Sequence, residues 1–157
     1  MILEVQNGCF GYPKQPVILE NINLRLEEGH ILAILGPNGI GKTTLLKSIN
    51  RLLPLQKGKL AINGTPIGQI KTNQLPHLVG YVVQSGGLFP HLTVAENIAM
   101  TMRIAKYPKE RIQERVRTRL QLVNLDPNLY SYQYSSQLSG GQQQRVGVAR
   151  ALQLIHR

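Results

Sequence analysis

The stretch ILAILGPNGIGKTTLLKSINRLL, residues 31–53, decides the fold. Its first five residues are continuously apolar, as expected of a strand covered on both faces. Leu45, Leu46, Ile49 and Leu53 then recur at helical spacing, and Pro54 marks the helix exit. Between them, Gly36, Gly41, Lys42 and Thr43 fit the pattern G-x-x-x-x-G-K-[ST]. A buried strand before the loop and a helix after it is the context this pattern requires. Glycines let the backbone curl so that successive N–H groups point at phosphate oxygens. The helix start adds its dipole and unpaired donors. Lys42 is expected to reach the β- and γ-phosphates, and the Thr43 hydroxyl to ligate Mg²⁺. Asn38, Gly39 and Thr44 complete the expected phosphate cradle.

Working outward, ILEVQ (2–6) and INLRL (22–26) alternate in character as half-buried strands do. KLAING (59–64) reads as a strand entering an Asn-Gly turn, and GYVVQ (80–84) as another short strand. Thr93 followed by Glu96 forms a capping box for a helix from about Val94 to Ala105. Ile112, Val116 and Leu120 give a second, amphipathic helix from Lys109 to about Val123, and a third starts at Gly141. The fold class is therefore α/β, with a mainly helical insertion over 86–137.

The composition excludes several classes. Hydrophobic residues make up 42%, which is globular. A single cysteine, Cys9, provides no disulfide framework and fits a reducing compartment. The first ten residues lack the basic and apolar regions of a signal peptide. No run approaches 18 apolar residues, so no transmembrane helix is expected. The net charge of +10 invites nucleic acid as a partner. Much of the excess lies in KERIQERVRTR (109–119), however, on the outer faces of an amphipathic helix with no interleaved aromatic residues. A solvated face is the simpler reading, and a surface for anionic lipid or acidic partner loops the next. The four histidines lack metal-ligand spacing.

A phosphate loop alone leaves kinases, GTPases, helicases and transport ATPases open. Taken together, LGPNGIGKTTLLKSI, YVVQSGGLFPHLTVAENI and LSGGQQQRV resemble the nucleotide-binding domain of ABC transporters, in order and over nearly the whole chain. The resemblance is closest to bacterial importers, with GLFPHLTVAENI most like the glycine betaine, choline and osmoprotectant group. It implies a P-loop NTPase (RecA-like) core with N-terminal β strands, built from 1–85 and 138–157, and a helical subdomain at 86–137. It implies Tyr12 stacked on adenine, and Gln84 touching Mg²⁺ and the attacking water. Lys42 and Gln84 are thus the expected catalytic residues, and Thr43 and Gln84 the metal contacts, with ATP and Mg²⁺ as cofactors. Ser139, Gly140, Gly141 and Gln142 would face the γ-phosphate held by a second subunit in a head-to-tail dimer. Arg145, Arg150 and the neighbouring glutamines read as structural on the same helix. Gly87 to Val94 resembles the surface that meets the coupling helix of a permease, although Phe89 and Leu92 could equally be subdomain core. Transmembrane permease subunits are the expected partners, at the cytoplasmic face of the membrane, with no nucleic acid. The alternative is a soluble ABC-type ATPase acting on nucleic acid or ribosomes. It lacks support here from the long coiled coil or paired domains such proteins carry.

One part of the family pattern is absent. The resemblance implies an apolar strand after the signature helix, ending in an aspartate for Mg²⁺ and a glutamate that activates water. The chain reaches Arg157 without it, and its only aspartate, Asp126, lies in a loop. His77, His91 and His156 match no switch position. The expectation is an N-terminal fragment of a cassette that binds ATP at best and does not hydrolyse it.

Overall fold

The computed structural model describes residues 1–84 and 86–155. His156 and Arg157 lie outside the described residues. The chain divides into two compact units, Met1–Leu75 and Pro76–Arg157.

The first unit is built on an antiparallel sheet of order β2-β1-β3-β4. Its strands are β1 (Leu3–Phe10), β2 (Leu19–Leu26), β3 (Leu55–Ile62) and β4 (Thr65–Pro66). The alternation in β2 behaves as a half-buried strand should: Ile22, Leu24 and Leu26 are half-buried while Asn21, Asn23 and Arg25 are exposed. The Asn-Gly turn joins β3 to β4 as a two-residue hairpin, pairing Ile62 with Thr65. Asn63 and Gly64 both take positive φ, 49° and 76°, which a type I′ turn demands. The central strand β1 is bulged, with register shifts against β3 between Gln6 and Cys9. Gly58 sits opposite this bulge at φ 88°, where a Cβ would press into the carbonyls of Gln6 and Asn7. Helix α1 (Lys42–Ile49) packs on β1 and buries Thr44, Leu45 and Ser48. Val5, Phe10, Leu60 and Ile62 of the sheet are buried in the same unit, as are Leu53, Ile67, Ile70 and Leu75.

Two expected strands and one helix boundary need correction. Residues 31–35 form no strand, and Ile31 and Leu35 are 96% and 89% exposed. Residues 80–84 form no strand either. Apolar composition suits a run to a buried strand, but only a neighbouring strand can satisfy its backbone donors and acceptors. Among the described residues no strand ladders with either segment. Helix α1 ends at Ile49 instead of continuing to Leu53. Arg51 adopts φ 58°, and the Leu52 and Leu53 amides both turn back to the Lys47 carbonyl. Leu53 is still buried, so its place in the helical pattern reports burial and not helix.

A short helix, α2 (Leu75–Leu78), spans the division in sequence. The second unit contains α3 (Val94–Ile104), α4 (Lys109–Leu122), α5 (Pro127–Tyr130) and α6 (Gly140–Ala151). Helices α3, α4 and α6 pack pairwise on one another. Val94, Ile98 and Met102 from α3 meet Ile112, Val116 and Leu120 from α4 and Val146 and Ala149 from α6. Each such aliphatic side chain contributes about 1.5–3 kcal/mol when fully buried. The expected capping box is present: Thr93 Oγ1 accepts from the Glu96 amide at 3.2 Å, and a Glu96 carboxylate oxygen accepts from the Thr93 amide at 2.9 Å.

Candidate nucleotide-binding residues

In the first unit, the glycine-rich loop leads directly into α1. Gly39 and Gly41 take positive φ, 84° and 104°, so each suits glycine on backbone grounds. At Gly41 a Cβ would also lie 2.8 Å from Leu19 Cδ2, where the loop passes the start of β2. Helix α1 has no side-chain cap and no acidic residue in its first turn. Its first amides are therefore unclaimed by any cap, and nothing offsets the positive end of the dipole. The Lys42 ammonium folds over the same loop, donating to the carbonyls of Gly36 and Pro37 at 2.7 Å each. Thr43 and Asn38 are exposed beside it, whereas Thr44 is buried against the sheet. The turn after β1 brings Tyr12 alongside this helix, with Lys47 Nζ 5.9 Å from its ring centroid. A lysine, uncapped amides and an exposed hydroxyl converge at one helix start, and that set suits a polyphosphate carrying Mg²⁺. The exposed Thr43 hydroxyl is a hard oxygen of the kind Mg²⁺ takes.

Gln84 and the Ser139 turn lie in the second unit. Ser139 is the N-cap of α6, its Oγ accepting from the Gln142 amide at 3.3 Å. Gln142 is committed at both ends of its side chain: Oε1 accepts from the Ser139 amide at 2.8 Å, and Nε2 donates to the Tyr130 hydroxyl at 3.1 Å. It holds the turn in shape. Gly140 and Gly141 are exposed, and a Cβ at either would meet nothing within 4 Å. Glycine in a helix costs roughly 0.5–1 kcal/mol relative to alanine. Packing within the unit does not call for either glycine, so the open approach to these amides is what they provide. Gln143 donates to the carbonyls of Ser135 and Leu138, and Arg145 to those of Val123 and Asn124, which makes both structural.

Gln84 is exposed, and its carbonyl accepts from Gln144 Nε2 at 3.2 Å. The turn that follows is gripped from two sides. Asn97, fully buried on α3, accepts from the Phe89 amide at 2.8 Å and donates to the carbonyls of Phe89, Leu92 and Thr93. Arg150 on α6 donates to the Gly86 carbonyl at 3.1 Å and covers the Phe89 ring, 5.7 Å from its centroid. Burial lowers the Arg150 pKa without discharging so strong a base. Phe89 is 39% exposed and Leu92 half-buried, so Phe89 in particular is divided between the unit and solvent. Sequence reasoning missed Asn97 and the pairing of Arg150 with this turn. Only Gly147, a glycine inside a helical pattern, carried a signal of close approach.

Among the described residues no three His, Cys, Asp or Glu side chains cluster as a metal site. Asp126 caps α5, accepting from the Asn128 amide at 2.9 Å. His77 donates from Nδ1 to the Leu154 carbonyl at 3.0 Å. No described helix is long and apolar enough to cross a membrane.

Residues 19–155 match the family described as ABC transporter. The choline transport ATP-binding protein OpuBA of Bacillus subtilis is 40% identical over 96% of this chain, which spans 39% of that protein. The spermidine/putrescine import ATP-binding protein PotA of Pasteurella multocida is 44% identical over 96% of the chain, which spans 40% of it. The dimeric ATP-binding cassette MJ0796, bound to ADP and phosphate, superposes with a TM-score of 0.80 at 30% identity. That match covers 98% of this chain and 70% of the cassette. The chain thus spans about two fifths of the length of the curated relatives it matches.

Proposed function

The chain belongs to the ABC transporter family, with the fold of part of its α/β P-loop cassette, and from that we propose that it is the ATP-binding portion of an importer's cassette subunit. The observation that carries this reading is the uncapped start of α1, with the Lys42 ammonium folded over the loop that precedes it. Gly36, Asn38, Gly39, Gly41, Lys42, Thr43 and Thr44 form the phosphate cradle, and Tyr12 offers its ring to the base. Thr43 is the first unit's residue that would hold Mg²⁺, which when bound neutralises phosphate charge and orients the γ-phosphoryl group, and Gln84 stands at the family pattern's position for a metal contact. Gln84 would also align the attacking water. Ser139, Gly140 and Gly141 present a helix start to the phosphate of a second cassette, and Gln142 keeps that turn rigid. We assign 1–85 and 138–157 to the cassette's core on the family pattern alone, and 86–137 to its helical subdomain.

The whole subunit would pair head to tail with another cassette and dock on membrane-embedded permease subunits at the cytoplasmic face. Phe89 and its neighbours supply the surface for that docking. The relatives named for choline and for polyamine transport differ little in identity to this chain, 40% against 44%. Identity alone therefore selects neither solute. The site is tested by labelling with a photoreactive ATP analogue. Lys42→Ala is expected to abolish detectable labelling while leaving the circular dichroism spectrum unchanged, because Lys42 bonds only loop carbonyls and supports no core. Undiminished labelling of the variant would overturn the assignment.

A further inference from the structure

The face of α6 that follows the Ser139 turn carries three residues at spacing i, i+3 and i+6: Gln144, Gly147 and Arg150. All three meet the segment around Gln84. Gln144 Nε2 donates to the Gln84 carbonyl. Gly147 lets the backbone of Gly86 approach so closely that a Cβ would lie 2.9 Å from its carbonyl oxygen. Gly86, at φ 73°, in turn has no room for a Cβ, which would lie 2.8 Å from the Gln143 carbonyl. Arg150 closes the arrangement with its bond to Gly86 and its place over Phe89. No carboxylate among the described residues pairs with this half-buried guanidinium. Its partners are a carbonyl and an aromatic face, and both belong to the turn. Burying a cation is costly unless its donors are used, so the pairing is strong where it forms.

We propose that Arg150 is a positioning residue that latches the turn of residues 86–89 to α6, so that Gln84 and the Ser139 turn are carried by one rigid element. The inference rests on the reading of Gln84 and Ser139 given above, but the latch is measurable without nucleotide. Helix α6 presents Ser139–Gly141 at its start and holds the Gln84 segment over the two turns from Gln144 to Arg150. Asn97 fixes the other side of the same turn to α3.

Hydrogen exchange of single amides in the 157-residue chain tests this. The Gly86 amide bonds the Val83 carbonyl, and the Phe89 amide bonds Asn97. Arg150→Gln is expected to speed exchange at both by about tenfold, the loss of one hydrogen bond to a charged group. Amides of Ile98, Leu120 and Val146 should keep their rates, because they report the core. Phe89→Leu should loosen the same two amides, and Phe89→Tyr should restore them. The double variant Arg150→Gln/Phe89→Leu should be no looser than Arg150→Gln alone, since the guanidinium mediates both contacts. Side-chain protons of Arg150 should show a ring-current shift that Phe89→Leu removes. Unchanged Gly86 and Phe89 exchange in Arg150→Gln would overturn the latch. So would acceleration spread evenly into Ile98, Leu120 and Val146, or additive effects in the double variant. Photolabelling through Lys42 should be the same in all these variants, which separates failure of the latch from failure of the nucleotide site.

Discussion

Tyr12 illustrates how the fold sets the surroundings of one residue in a surface loop. It follows β1 in a turn closed by the Gln15 amide on the Tyr12 carbonyl at 3.2 Å, and Ile18 rejoins the sheet by bonding Phe10. This brings the half-buried ring beside α1, where Lys47 lies near its face. Base stacking on such a ring contributes about 1–3 kcal/mol and tolerates any base. Tyr12→Ala should therefore weaken ATP and GTP binding alike, by roughly 5- to 100-fold. Tyr12→Phe keeps the π-face and should titrate like the parent. Nucleotide titrations that found Phe as damaging as Ala would identify the hydroxyl as the contact.

At the scale of elements, the three helix starts differ in how their first amides are used. In α3 they are consumed. The Thr93 box takes one, and the amides of Val94 and Ala95 donate to the carbonyls of Gln133 and Ser131 at 2.8 and 3.0 Å. In α1 no side chain caps them, and in α6 Ser139 caps the turn while leaving its glycines open. The same backbone physics thus yields a structural joint in α3 and candidate anion sites in the other two. The α3 joint is pH-sensitive. Hydrogen bonds from the Thr93 amide and hydroxyl hold the Glu96 carboxyl below its usual value of 4.5. A depressed folded-state pKa means the stabilisation is present above the unfolded value and is lost as pH falls through the folded one. The first turn of α3 should fray in acid, below the ordinary carboxylate range, visible as faster exchange of the Glu96 and Asn97 amides. Glu96→Gln can still accept from Thr93, so it should retain the cap and remove the pH dependence. A parent chain whose α3 amides are insensitive to acid would refute the carboxylate's part.

For the whole molecule, the distribution of carboxylates limits the chemistry of this chain by itself. Asp126, its only aspartate, is spent as the cap of α5, and Glu96 as half of a capping box. Both already accept a backbone amide at a helix start, and general-base catalysis is typically worth 10²–10⁴-fold. The 157-residue chain should bind ATP but release phosphate at the background rate, equal to that of its Lys42→Ala variant. Lys42-dependent turnover would show that a carboxylate of this chain does the work after all. The net charge of +10 has a milder reading in the structure. On α4, Arg111 covers Tyr107 and Arg115 bonds the Gln153 carbonyl, so part of the basic face is tied to the unit's own side chains and backbone.

Features that depend on residues a few positions apart were legible in the sequence. The Asn63–Gly64 hairpin, the Thr93 box, the apolar stripes of α3 and α4 and the loop entering α1 all follow from local sterics and hydrogen bonding. The loop entering α1 is also part of the pattern that marks the family. The failures were equally physical. Residues 31–35 and 80–84 have the composition of strands, but a strand is completed only by a partner, and composition names none. Leu53 fits a helical period that Arg51 interrupts by turning to positive φ. The grip on the turn after Gln84 joins residues 60 and 64 positions apart, Gln84 with Gln144 and Gly86 with Arg150. Only tertiary packing brings such pairs together, because no local rule says which carbonyl a distant guanidinium will meet.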